Sequence, residues 1–252
     1  MKRFAIMLLA SGLGAASLPS YAMEMGQATR LGASVGRYEG VGRVRGFDPS
    51  GTPVTDEITN RTVRLTYGGE LGYTITMADF YADLGLYALR VKFQDEQNWR
   101  TDLLATFGYY INDSWTVFAG FRRGWQGPHI FNDDTFKELG PYVGFGYGGI
   151  PLGGGWNMNT TAAYNFDKVK NFPGAPAGFH TEPSDFNYPG ISLKLSVNKK
   201  GTPHSLQLRL QRFSKGASDQ IIDDSTGSSI GRVDFNLTET WALLSYVFTL
   251  GW

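Results

Sequence analysis

The chain has 252 residues, 42% of them apolar, with 23 basic and 23 acidic residues that cancel, and no cysteine. This excludes a disulfide framework, a thiolate metal site and the basic footprint of a nucleic-acid binder. With 33 Gly, 17 Phe, 13 Tyr and 6 Trp, the composition is that of a β-rich protein rather than a helical one.

The first 22 residues, MKRFAIMLLASGLGAASLPSYA, carry Lys2 and Arg3 ahead of an apolar run from Phe4 to about Ser17. That run is too short to span a membrane as a helix, and Ser20-Tyr21-Ala22 places small residues at −3 and −1. The segment reads as a secretory signal peptide over 1–22, cleaved after Ala22, with a short anchor helix as the alternative. There is no lipobox cysteine. The remaining 23–252 reads as one domain with a slight acidic excess.

From there the pattern is alternation. Ten segments carry it: 27–38, 61–76, 79–92, 100–110, 115–126, 138–150, 156–167, 187–198, 204–214 and 232–252. In RTVRLTYGGELGYTIT, Val63, Leu65, Tyr67, Leu71, Tyr73 and Ile75 share one face of a strand and Arg64, Thr66, Gly68, Glu70, Gly72 and Thr74 the other, because side chains alternate at period two. The 79–92 segment is less tidy, with Leu84 and Leu86 on one face and Tyr87 and Leu89 on the other. The register is clean in WTVFAGFRRGW, where Trp115, Val117, Ala119 and Phe121 oppose Thr116, Gly120 and Arg122. It returns in WNMNTTAAYNF, ISLKLSV and SLQLRLQ. In 232–252 the apolar phase flips between Leu237 and Leu244, which predicts a bulge near Thr240.

Connections after odd segments are long (39–60, 93–99, 127–137, 168–186, 215–231), and those after even segments short (77–78, 111–114, 151–155, 199–203). A sandwich has no reason to alternate in this way, whereas a membrane-spanning barrel does. Lipid offers no hydrogen-bond partner, so alternating strands must close on themselves. Aromatics fall where the interfaces belong: Tyr109, Trp115, Trp156 and Trp252 at the turn side, Trp99 and Trp125 at the loop side. The expected fold is all-β, a transmembrane antiparallel up-and-down β-barrel of ten strands, with eight or twelve left open.

The ending, LSYVFTL followed by Gly251 and Trp252, resembles the C-terminal strand of Gram-negative outer-membrane β-barrels, which closes on an aromatic. YYINDSWTVFAGFRRG resembles a strand–turn–strand of such barrels. The resemblance implies export to the outer membrane, contact with its lipids and lipopolysaccharide, and recognition of Tyr246, Phe248, Leu250 and Trp252 by the barrel-assembly machinery. No particular subfamily is indicated.

With the apolar face outward, the other face lines the lumen and collects Arg30, Arg64, Glu70, Asp83, Asp102, Arg122, Lys194 and Arg209, five basic residues against three acidic. Two readings stand. Either these charges pair and fill a narrow barrel, or they line an anion-favouring channel. Gly68, Gly72, Gly85, Gly108, Gly120, Gly144, Gly146 and Gly148 remove volume from that face, either opening it or making room for inward Tyr87, Tyr110 and Tyr142. Arg90, Lys92 and Arg123 fall on the lipid face near loop ends, where a long side chain snorkels to water or to lipopolysaccharide phosphate.

Of the three histidines, His129 and His180 lie in long loops beside acidic residues, but the paired Asp-x-Asp and Asp-x-His spacings of omptin proteases are missing. His204 and Ser205 are adjacent and face opposite sides, unlike the His-x-Ser of lipid deacylases. FDPSGTPVTDE (47–57) lacks the spacing of a calcium loop. No catalytic residue, metal ligand or cofactor is called for. The leading expectation is a small porin-like or solute-specific passive channel. The other is a non-conducting structural or adhesive barrel acting through its loops.

Overall fold

A computed structural model of the chain describes residues 25–54, 56–93, 96–127, 136–170, 179–182 and 186–251. Every regular element among them is a strand: β1 (Met25–Phe47), β2 (Ile58–Met77), β3 (Phe80–Phe93), β4 (Glu96–Tyr110), β5 (Trp115–Gly127), β6 (Phe136–Gly153), β7 (Trp156–Lys170), β8 (Phe179–Glu182), β9 (Phe186–Lys199), β10 (His204–Asp223) and β11 (Ser229–Gly251). The signal-peptide segment and Trp252 lie outside the described residues.

Each strand pairs antiparallel with its neighbour from β1 to β7, then β7 with β9, β9 with β10 and β10 with β11. The β1–β11 ladder closes the circle, running from Ala28↔Gly251 to Phe47↔Arg232. The result is a closed ten-stranded up-and-down barrel. The eleventh strand, β8, adds a short edge to the upper end of β10, with Gln220↔Glu182 through Asp223↔Phe179. It falls in the stretch 168–186, expected to be entirely loop.

The faces divide as the alternation predicts. Leu31, Leu71, Leu84, Phe107, Phe121, Phe145, Tyr164, Leu193, Leu208 and Tyr246 are exposed on the outside, and the inward neighbours of these positions are buried or half-buried. An apolar outer belt over a polar interior is the inverse of a soluble protein and the signature of a membrane barrel.

Two expectations need correction. The stretches 39–60 and 215–231 are mostly strand: β1 and β11 span 23 residues each and β2 and β10 span 20 each, about twice what crossing a bilayer takes. Their outermost parts, 39–47, 58–60, 215–223 and 229–231, pair with one another beyond the alternating segments. Nor is there a bulge at Thr240. Its ladders to Glu39 and Arg212 are unbroken, and the irregularities lie at Ile221/Ile222 in β10 and at Tyr147/Ile150 and Pro151/Gly153 in β6. The phase flip arises because Trp241 and Leu243 turn inward and pack with Tyr38, Leu89 and Val91 inside the barrel. The mixed faces of 79–92 share this cause.

Candidate functional site

Among the described residues the lumen gathers buried ionisable groups from many strands, and it is layered. Near the turn side, Tyr81, Tyr110, Phe118 and Tyr142 form an apolar floor on β3–β6. Tyr142 shares a 2.5 Å hydrogen bond with the Thr106 hydroxyl. The glycines opposite are there for space. A Cβ at Gly108 would stand 2.2 Å from the Tyr81 ring, and one at Gly120 2.4 Å from the Tyr142 ring. Side chains fill the room that these glycines leave.

At mid-belt, Arg30 binds Asp83 through Nη2 at 2.8 and 2.9 Å. Asp83 also accepts from the Thr74 hydroxyl at 2.5 Å. Arg209 lies over the Tyr87 ring, 3.7 Å from its centroid, with Nη2 3.9 Å from Glu70. Lys194 stands directly across the β9–β10 ladder from Arg209. Along the same strands and their neighbours the lining is small and polar, with Ser34 bonded to Ser245 at 2.7 Å and Asn159 to Asn198 at 3.2 Å.

At the loop-side edge of the belt sits the densest cluster. Arg122 contacts Asp102 at 2.8 Å, Glu138 at 2.7 Å and Asp167. Arg100 contacts Glu138 at 2.6 Å, Asp102 at 3.4 Å and Glu239 at 3.5 Å. Glu239 in turn accepts from the hydroxyls of Tyr38, at 2.7 Å, and Tyr188. Aromatic faces wall the guanidiniums: Arg122 stacks 4.6 Å from the centroid of Phe213 and Arg100 5.5 Å from that of Trp241. Two glycines make the cluster buildable. A Cβ at Gly124 would stand 2.9 Å from the Asp102 carboxylate, and one at Gly140 2.7 Å from that of Asp167.

Seven of the eight lumen residues expected from sequence lie inside: Arg30, Glu70, Asp83, Asp102, Arg122 and Lys194 are buried, and the Arg209 side chain is 12% exposed. Arg64 does not belong with them. Its strand outruns β3, whose ladder with β2 ends at Thr66↔Val91. Arg64 is therefore exposed at the mouth, where it donates to the Val63 carbonyl at 3.1 Å. Arg100, Glu138, Asp167 and Glu239 were missed, though each is buried. Parity could have found them: Arg100 lies two residues before Asp102, and Asp167 continues the inward face of Asn159, Thr161 and Asn165. The expected excess of basic residues is corrected with them. Among the described residues the lumen holds five basic side chains (Arg30, Arg100, Arg122, Lys194, Arg209) and six acidic (Glu70, Asp83, Asp102, Glu138, Asp167, Glu239).

Outside, Arg90 and Arg123 lie over Trp99 and Trp125, at 5.7 and 4.8 Å from the ring centroids. The Lys92 side chain falls outside the described residues, as do His129 and the side chain of His180. His204 bonds Tyr246 through Nδ1 at 2.6 Å on the outer face. In the 48–57 connection, Asp48 accepts from the Ser50 hydroxyl at 2.6 Å and the Thr52 amide at 2.8 Å. These bonds, the Ser50 hydroxyl first, hold its carboxyl below the usual carboxylate range. Tyr246 and Leu250 of the terminal signature face outward.

No protein-family model and no curated protein matches the chain. Solved structures similar to it include the outer membrane protein OprG of Pseudomonas aeruginosa, at 10% identity and a TM-score of 0.43, covering 90% of this chain and 97% of that one. The outer membrane protease OmpT of Escherichia coli follows at 13% identity and 0.34, with 88% and 97% covered. The toluene transporter TodX of Pseudomonas putida matches at 10% and 0.34, with 89% and 90% covered. At such values no chemistry passes from these proteins to this chain. Its own closed ladder and apolar belt make it a β-barrel of the outer-membrane type.

Proposed function

We propose that the protein is a small passive channel in the outer membrane of a Gram-negative cell, whose lumen is closed by its own side chains and opened by their local rearrangement. One observation supports this reading above the others: beside its apolar clusters the interior holds eleven ionisable side chains. A narrow barrel needs its interior filled, but not charged. Replacing buried ion pairs by well-packed apolar residues is often neutral or stabilising, by about 1–4 kcal/mol. Charges along a narrow lumen are how a protein selects small polar solutes in transit.

The partners follow from the surfaces. The exposed belt meets lipid. Arg90 and Arg123, at its loop-side edge, meet lipopolysaccharide phosphates. Tyr246, Phe248, Leu250 and Trp252 meet the assembly machinery, and a small solute enters the lumen. No enzymatic activity is proposed.

The test is conductance of the refolded mature protein in planar bilayers, beside a variant carrying Phe118→Ala and Tyr142→Ala. Small current steps are expected from wild type and larger ones from the variant, whose aromatic floor is gone. Silence from both, with folding confirmed by heat-modifiable gel mobility, would sink the channel and leave a barrel that works without conducting.

A further inference from the structure

We infer that the middle of the lumen is a binding site for a small monovalent anion, formed by Lys194 and Arg209. The two lie directly opposite one another in the β9–β10 ladder, both on the inward face. Like charges so placed repel, and the pair persists only if something between or beside it is negative. The surrounding protein supplies little. The charges that act most strongly on Lys194 are Glu70, Arg30, Arg209 and Asp83. Asp83 is already engaged by Arg30 and by the Thr74 hydroxyl. Glu70 stands 3.9 Å from Arg209, a loose contact. At this level, then, three cations face two carboxylates.

Lys194 itself is 6% exposed, and its Nζ has no hydrogen-bond partner among the described residues. A buried ammonium with no acceptor is costly. An anion seated against Nζ removes that cost and relieves the repulsion from Arg209. Tyr87, against Arg209, is buried, as are Ser196 and Gln207, each two residues along its strand from Lys194 or Arg209, and Thr161 flanks Lys194 across the β7–β9 ladder. So enclosed a setting makes the smallest anions, the halides, the candidates. The loop-side cluster is no competitor, since there four carboxylates surround two arginines. The site deepens the channel reading, on which its role as a waypoint for solute rests. Anion binding itself is measurable without conduction.

The experiment follows the thermal unfolding midpoint of the mature protein, refolded in detergent, as sodium gluconate is exchanged for sodium chloride at constant ionic strength. A second readout is chloride-35 linewidth with bromide as competitor. Wild type should show a midpoint that rises saturably with chloride, and chloride broadening that bromide displaces. Lys194→Met should lose both effects, with a midpoint in gluconate no lower than that of wild type. A wild-type midpoint indifferent to chloride, or an effect undiminished in Lys194→Met, overturns the site. Should that variant fail to refold, Lys194→Gln replaces it, and absent line broadening in wild type alone is sufficient to overturn the site. Chloride binding without conductance would sink the channel and spare the site. Conductance without any chloride effect would do the reverse.

Discussion

Arg122 shows what a single lumen residue carries. Its guanidinium is shared among Asp102, Glu138 and Asp167, all of them buried. Replacing it with methionine keeps volume against Phe213 but leaves three carboxylates without their common cation. A buried pair broken on one side costs about 3–5 kcal/mol, and Arg122→Met should lose that much in urea unfolding from lipid vesicles. Arg64→Met is the control. Exposed at the mouth, it should stay within about 0.5 kcal/mol of wild type. Equal losses in the two variants would mean that the cluster is hydrated and its ion pairs are slack. The expectation that Arg64 belongs to the lumen was sound in parity and wrong in height, because alternation tells which way a side chain points and not whether a neighbouring strand reaches its level.

Strands are where alternation carries most force, and only within the lipid belt. Leu208 pairs with Leu195 on one side and Leu244 on the other, all outward and near mid-belt. An arginine there should cost about 2–4 kcal/mol, whereas Leu250→Arg, at the turn-side edge, should cost about 0–1 kcal/mol. The refolding equilibrium into vesicles measures both. Equal costs would misplace the belt. Above the belt, the same strands lose their pattern. Between 36–47 in β1 and 229–241 in β11 both faces are wet or packed on protein, so polar and apolar residues no longer alternate, although the ladder continues. Ladder hydrogen bonds belong to the backbone and leave no trace in side-chain polarity. For that reason 39–47 and 229–231 were read as loops.

For the whole molecule, topology is the property most open to test. The connections at 78–79, 111–114, 154–155 and 200–203 lie at one end of the barrel, and 48–54 and 224–228 at the other. Cysteines at Ser50 and Lys200 should therefore differ. On intact cells an impermeant maleimide should label Ser50→Cys and spare Lys200→Cys until the outer membrane is opened. Labelling in the opposite sense would invert the barrel. Closure, ten strands as the leading count and the sidedness of nearly every belt residue were legible in the chain, because lipid outside and a closed backbone ladder impose a period of two that no soluble arrangement of long and short connections imitates. Whether the lumen is open or filled was not legible. Gly72, Gly108 and Gly120 read equally well as emptiness or as room for a neighbour, until Arg30, Tyr81 and Tyr142 are seen lying against them. Nor was the company each charge keeps. Arg122 meets Asp167, 45 residues away, and Arg100 meets Glu239, 139 residues on. A period names the face on which a residue lies, and only the closed circle of strands decides which residue faces it across the lumen.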